Sequence, residues 1–483
     1  MRLKEIIAGA RLPMEVSGPQ EQEITGVTLD SRKAVGGWLF VAQKGEKVDG
    51  HSFIGKAIEG GCRAIVCEHR PEGVDIPDDC AIVVSHDTHE SLGRIASSFY
   101  GNPSERLKLV GVTGTNGKTT IATLLYRLMM ELGHKSGLFS TVANYVGEER
   151  TPAMQTTPDA ITLQREMRKM VDSGCEYCFM EVSSHSVVQR RIAGLDFDGG
   201  VFTNLTHDHL DFHKTFANYI EAKKGFFDGL KKGAFALTNI DDRNGQKMLQ
   251  NTKARKLSYS MQTQADIKGK VVEDTMDGML LNVNGTEAFM QFVGRFNAYN
   301  LLAIYGAAVE LGFESREVLV ALSKLRPVDG RFQTVKTSKG ATAIVDYAHT
   351  PDALLNVIGT INEIRCEGQR LICIVGCGGD RDKTKRPEMA HEAVIGCDQL
   401  ILTSDNPRSE EPQAILDDMK AGLTAEELAR TLTIEDRREA IRTAAALSKR
   451  GDIILIAGKG HEDYQEIKGV KHHFSDLEEV SKL

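Results

Sequence analysis

The run Gly114-Thr-Asn-Gly-Lys-Thr-Thr120 joins an apolar stretch, Leu107-Lys-Leu-Val-Gly-Val-Thr113, to a segment whose apolar residues Ile121, Leu124, Leu125, Leu128, Met129 and Leu132 recur at helical spacing. A strand feeding a glycine-bearing loop that opens a helix aims several backbone N–H groups at one spot, where the helix dipole adds positive potential. An anion of phosphate type fits there. Lys118 can reach the outer phosphates of a nucleoside triphosphate, and the Thr119 hydroxyl can join a magnesium shell. Gly114, Thr115, Asn116, Gly117, Lys118, Thr119 and Thr120 are thus the candidate nucleotide residues. The run departs from G-x-x-x-x-G-K-[ST], because Val112 stands at the first glycine position.

Two further runs end apolar stretches: Glu181-Val-Ser-Ser-His185, and Thr203-Asn-Leu-Thr-His-Asp-His-Leu-Asp-Phe-His213. A carboxylate, an imidazole and phosphate oxygens together suit magnesium. His207, His209 and His213 would alternatively suit zinc or lie solvated in a loop. Cys175-x-x-Cys178 has the spacing of a redox or zinc half-site, but no second pair at ligand spacing follows it. It reads as a pair of buried thiols. Most of the nine cysteines lie inside apolar runs, such as Leu371-Ile-Cys-Ile-Val375, which suits a reducing, cytoplasmic setting.

The elements that must hold these residues follow from the apolar pattern. At 483 residues several domains are expected. Short apolar runs such as Leu39-Phe-Val-Ala42 and Ala81-Ile-Val-Val84 predict a small N-terminal α/β domain over residues 1–100. Apolar strands at Tyr177–Val182, Gly200–Thr203 and Ala234–Leu237, alternating with helical segments, predict a central, mainly parallel sheet over 101–330. Past the Pro- and Gly-bearing run Leu325-Arg-Pro-Val-Asp-Gly-Arg331, strands at Ala343–Val345, Leu371–Val375, Gln399–Leu402 and Ile453–Ile456 predict a Rossmann-like C-terminal domain over 331–483. The expected fold is α/β with three domains. A net charge of −8 argues against general nucleic-acid or membrane-surface binding. No signal-peptide core and no bilayer-length apolar run are recognised.

The Gly114–Thr120 loop resembles that of the Mur ligase superfamily, which includes the folylpolyglutamate synthetases. The resemblance implies ATP as the nucleotide and amide formation through an acyl phosphate. It implies Glu181 and His209 as ligands of one magnesium, with Thr119 serving the ion that bridges the ATP phosphates. Tyr219-Ile-Glu-Ala-Lys-Lys-Gly-Phe-Phe227 is similar to the family segment whose lysine is carbamylated and so becomes a carboxylate-like metal ligand. The pattern selects Lys223, with Lys224 as rival, and Phe226 replaces the usual leucine. Gly294-Arg-Phe-Asn-Ala-Tyr-Asn300 matches the family's G-x-F-N-x-x-N, which implies Asn297 and Asn300 beside adenine. Asp346-Tyr-Ala-His-Thr-Pro-Asp352 resembles the segment that completes the ATP site across a domain cleft, which brings in Asp346. Helix caps and turns are the plainer use of such Asn and Asp residues.

Thr156-Thr-Pro158 and Ser183-Ser-His-Ser-Val-Val-Gln-Arg-Arg191 resemble the branch of the family that grips a UDP-N-acetylmuramoyl dipeptide. Thr156, Thr157, Ser183, Gln189 and Arg191 are the implied contacts. Thr28-Leu-Asp-Ser-Arg32 is similar to a uridine-binding turn, with Leu29 and Ser31 matched; the loop at 45–50 is a more variable counterpart. Gly376–Pro387, Asp405-Asn-Pro-Arg408 and Gly458-Lys-Gly-His-Glu462 resemble the acceptor site, implying Arg381, Asp405, Asn406, Pro407, Arg408, Gly458 and Glu462. The Asp-Asn-Pro-Arg form resembles that of enzymes adding meso-diaminopimelate. Its logic is direct: a guanidinium forms a paired, charge-assisted contact with the distal carboxylate that lysine lacks. A surface salt bridge is the plainer use of Arg408. The expected partners are small molecules only, namely ATP, the UDP-muramoyl dipeptide and the amino acid, with the chain a monomer. The rival readings are the same ligase with L-lysine as acceptor, a folylpolyglutamate synthetase, and a catalytically silent nucleotide-binding scaffold.

Overall fold

The computed structural model describes residues 1–45, 48–206 and 210–483. Among these the strands form three large sheets and one hairpin. The first sheet has five strands, ordered Glu15–Ser17, Ala81–Val84, Ala64–Cys67, Trp38–Val41 and Gly26–Thr28, parallel except at its first pair. The apolar runs at 39–42 and 81–84 supply its interior, so both of its faces are buried.

The central sheet has eleven strands. Lys108–Thr113 lies in its middle, paired in parallel with Tyr177–Glu181 on one side and Gly199–Phe202 on the other. Register puts Glu181 opposite Val112 and Phe202 opposite Thr113, so the chain leaves all three strands at one edge. This is where parallel sheets present ligand-binding loops. The helix Lys118–Glu131 packs on the sheet through Ile121, Leu124, Leu125, Leu128 and Met129, all fully buried, as the periodicity predicts. One feature was not expected: Ile267–Thr275, Gly278–Val283 and Thr286–Met290 extend the sheet as an antiparallel meander. Its outer strand runs exposed, exposed, half-buried, exposed and buried, and a sequence so mixed carries little apolar signal.

The third sheet has six strands, with Thr342–Asp346, Ile453–Ala457, Leu371–Val375 and Gln399–Leu402 adjacent and parallel. Each predicted strand of this region appears within a residue or two of its expected bounds. Asp346 pairs with Ala457, and Val375 with Leu402, so the loops that follow these strands gather at one edge. A hairpin, Tyr464–Ile467 with Val470–His473, lies beside them. Cys175 and Cys178 are both buried, and desolvation raises their thiol pKa values, as the plain reading of that pair requires. Among the described residues no helix is long and apolar enough to cross a membrane.

Candidate active site

A cavity of about 940 Å³ opens between the ligand edges of the central and C-terminal sheets. Thr115, Asn116, Gly117, Lys118, Thr119 and Thr120 form part of its wall. Gly117 has φ 89°, a left-handed conformation that favours glycine, and a Cβ there would lie 2.6 Å from Asn300 Oδ1. Lys118 Nζ donates to the carbonyls of Gly114 (2.9 Å) and Thr115 (2.8 Å), folding back over its own loop. Thr203 Oγ1 donates to Asn116 O at 2.6 Å, and Asn116 N donates to Asn204 Oδ1 at 3.0 Å, so the neighbouring strand end fixes the loop.

Glu181 is 1% exposed and lines the same space. Thr141 N donates to its Oε1 at 2.6 Å, and Thr141 Oγ1 to its Oε2 at 3.2 Å. Lys223 and Lys224 are both buried, and the structure separates them. Lys224 Nζ pairs with Asp228 at 2.6 Å, whereas Lys223 lines the cavity, donates to Gly114 O at 2.8 Å and lies 4.7 Å from the Tyr219 ring centroid. His209, the remaining candidate ligand, lies outside the described residues. Thr119, Glu181 and Lys223 thus share one cavity beside the phosphate-type loop, and a hydroxyl with a buried carboxylate suits a hard cation. The Thr206 hydroxyl, on the same wall, is buried with no partner among the described residues.

The residues expected beside adenine and the UDP-muramoyl dipeptide are distributed more widely. Asn300 lines the cavity, while Asn297 sits behind it, donating to Val293 O (2.9 Å) and accepting from Asn300 Nδ2 (3.2 Å). Thr156 and Ser183 are on the wall; Thr157 is buried, its hydroxyl donating to Glu181 O at 2.8 Å. Arg191 holds Gln155 Oε1 (2.7 Å), Thr157 O (2.9 Å) and Gln189 Oε1 (2.9 Å), so Arg191 and Gln189 brace that loop from outside the cavity wall. Leu29, which is exposed, and Ser31 follow strand Gly26–Thr28 and do not line the cavity.

The C-terminal sheet supplies the opposite wall. Asp346 is buried at its strand end, accepting from Phe332 N (2.7 Å) and Ala348 N (2.8 Å), and burial raises its pKa. Arg381, Asp405, Asn406, Arg408, Gly458 and Glu462 line the cavity, whereas Pro407 does not. Arg408 takes φ 52° and is held by the hairpin: its N–H donates to Glu466 O (3.0 Å), and its own carbonyl accepts from Lys468 N (2.7 Å). Gln465 Nε2 donates to Asp405 O (2.7 Å) and Glu466 N to Asn406 Oδ1 (2.9 Å). The guanidinium, with its side chain 23% exposed, donates to Gly379 O at 2.5 Å and stands 3.8 Å from Glu466 Oε2. Gly378 leaves room for it, since a Cβ there would meet Arg408 Nη1 at 3.0 Å.

Sequence reasoning missed several residues that shape this site. Arg331, in the run read as a domain boundary, donates from Nη2 to Thr119 Oγ1 (3.2 Å) and lies 4.5 Å over the Tyr347 ring. Asp352 accepts from Asn116 Nδ2 at 3.0 Å. Arg386, 1% exposed, ties Glu410 and Asp418 to the loop carrying Arg381, and its hydrogen bonds with Glu410 hold that carboxyl down at about 2. Lys459 lies fully buried inside the Gly458–Glu462 run. Arg386 and Lys459 stand in quoted runs, but a cation's burial carries no sequence signature.

Both sheet edges, with their phosphate-type loop and guanidinium facing one space, match known patterns along the chain. The pattern described as Mur ligase family, catalytic domain, matches residues 23–100; the Mur ligase middle domain matches 112–308; and the Mur ligase glutamate ligase domain matches 330–460. The chain belongs to the Mur ligase family. Among relatives of this Mur ligase, the UDP-N-acetylmuramoyl-L-alanyl-D-glutamate--2,6-diaminopimelate ligase of Phocaeicola vulgatus is 57% identical over 99% of this chain and 98% of its own. The enzyme of the same name from Parabacteroides distasonis is 58% identical, covering 100% of this chain and 99% of its own. A solved structure of a ligase of that name superposes with TM-score 0.72 at 32% identity, over 100% of this Mur ligase and 98% of that chain. A Thermotoga maritima MurF structure shares the fold alone, at TM-score 0.62, 20% identity and 95% and 96% coverage.

Proposed function

We propose that this Mur ligase uses ATP to join meso-diaminopimelate to the D-glutamate of UDP-N-acetylmuramoyl-L-alanyl-D-glutamate, releasing ADP and phosphate, as a step in peptidoglycan synthesis. The observation that carries the reading is that Arg408 and Lys118 line one cavity from opposite walls. An activated carboxyl beside the loop and an amine anchored by its distal carboxylate at Arg408 can therefore meet. Holding both partners in one space is itself a large part of the rate acceleration.

In this reading a carboxylate oxygen of D-glutamate attacks the γ-phosphorus of ATP, and ADP leaves. The acceptor amine, having lost a proton, attacks the acyl carbon; inorganic phosphate departs and the amide remains. Lys118, by exchanging its loop carbonyls for phosphate oxygens, and Arg331, already at Thr119, offset charge as it develops on the transferred group. Magnesium, held by Thr119, Glu181 and Lys223 as its carbamate, with His209 the further family ligand, would neutralise phosphate oxygens. Arg381 and Glu462 face the carboxylate and ammonium groups of the acceptor, while Thr156, Ser183 and the loop braced by Arg191 face the muramoyl dipeptide.

The test is phosphate release by the purified chain with ATP, magnesium and UDP-muramoyl dipeptide, with meso-diaminopimelate or L-lysine supplied separately. Turnover with diaminopimelate and little with lysine is expected. Equal use of lysine, or turnover only with a folate substrate, would overturn the reading. Lys118→Ala should lower kcat by about a hundredfold or more, the scale of losing a charge-stabilising donor, with the fold retained by circular dichroism.

A further inference from the structure

Lys459 is a cation with no exposure to solvent, inside a wall that also presents acidic groups to the cavity. It follows Gly458, whose φ of 114° turns the chain sharply at the end of strand Ile453–Ala457. Its Nζ donates to Glu462 Oε2 at 3.1 Å and Asn406 Oδ1 at 3.2 Å, and stands 3.9 Å from Asp405 Oδ1. The Tyr464 ring centroid is 5.4 Å away. Burying an ammonium is costly unless it is paired and hydrogen-bonded, so these partners are what keep it there.

The pattern at Glu462 is asymmetric. Lys459 Nζ and Asn406 Nδ2 both donate to Oε2, at 3.1 Å and 2.8 Å. A carboxylate with one oxygen fixed from behind is oriented, and its second oxygen remains for a partner in the cavity that Glu462 lines. Asn406 is oriented in the same way: its Oδ1 accepts from Lys459 and from Glu466 N, which directs its amide nitrogen to Glu462. The cation also separates two carboxylates that would otherwise repel each other within one wall.

We propose that Lys459 is a positioning residue for the acceptor amino acid: from beneath the pocket it aims Glu462 and Asn406 and balances the charge of Asp405 and Glu462. The inference rests on the diaminopimelate reading and deepens it. Lys459 need not touch the substrate. It sets how strongly the pocket holds an ammonium group, because without it Asp405 and Glu462 repel each other and turn toward water.

The measurement is the KM of each of the three substrates for the full-length wild type and for Lys459→Met and Lys459→Arg, with thermal unfolding of each. Lys459→Met is expected to raise KM for diaminopimelate by about tenfold or more, leaving KM for ATP and the muramoyl dipeptide within about twofold. Lys459→Arg, which keeps the charge, should recover part of that loss. A KM for diaminopimelate within twofold of wild type, equal movement of all three KM values, or no recovery by arginine would each overturn the inference. If Lys459→Met does not fold, Lys459→Gln, which keeps a donor without the charge, is read by the same three constants. Failure of the wild type to use diaminopimelate would instead refute the functional reading itself.

Discussion

A guanidinium and an ammonium carry equal charge but offer it differently, and Arg408 depends on the difference. One of its donors is spent on Gly379 O, and Glu466 balances it at 3.8 Å, so the planar group is held in place while facing the cavity. Arg408→Lys keeps the charge and loses the paired geometry. We expect kcat/KM for diaminopimelate to fall about thirtyfold, equivalent to about 2 kcal/mol, with KM for ATP unchanged in the same phosphate-release assay. His461 makes a pH prediction at the same scale. Burial, aided by Arg331, Arg150, Lys459 and His349, pushes its pKa from 6.5 down to about 3. The unfolded chain therefore binds the proton first, and stability present above about pH 6.5 is lost as pH falls toward 3. His461→Gln should flatten the fall in thermal midpoint between about pH 6.5 and 5; an unchanged slope would refute this.

At the scale of elements, the Asp405–Arg408 turn does not stand by itself. Three residues of the Tyr464–Ile467 hairpin and its turn, Gln465, Glu466 and Lys468, bond to Asp405, Asn406 and Arg408. The strand end behind the pocket is fixed in turn by Arg437, whose Nη2 donates to Ala457 O (2.9 Å) while Nε and Nη2 each reach Asp476 at 2.7 Å. Both side chains of that pair are fully buried. Arg437→Met would leave Asp476 buried and unpaired, lowering stability by about 3–5 kcal/mol in denaturant unfolding. Arg437→Met with Asp476→Leu should recover much of that loss, because an apolar pair removes the stranded charge.

At the scale of the whole molecule, the reaction space is built from two sheets whose ligand edges face each other. Asn116 to Asp352 and Arg331 to Thr119 are hydrogen bonds that cross it. A nucleotide that touches the Lys118 loop and the Asp346 segment therefore couples the two halves. A non-hydrolysable ATP analogue at about a hundred times its Kd should stabilise the protein by about 2.7 kcal/mol. Scanning calorimetry should show the transitions of the central and C-terminal sheets moving up together, whereas the five-stranded sheet should respond least. Lys118→Ala should abolish most of that shift.

What the sequence determined by itself was local. Helical spacing marked the face of Lys118–Glu131, apolar runs marked the parallel strands, and a glycine–lysine loop between strand and helix marked the phosphate-type wall, because periodicity and loop chemistry are written in neighbouring residues. The antiparallel meander at 267–290 was not legible, since its mixed faces carry no strong apolar period. The family pattern selects Lys223 over Lys224, and tertiary structure puts Lys223 on the cavity wall and Lys224 against Asp228. Tertiary structure alone drew Arg331 from a boundary run onto Thr119 and put Lys459 under Glu462. Those contacts join residues far apart in the chain or set the burial of a charge, and both are properties of packing that no local run of residues encodes.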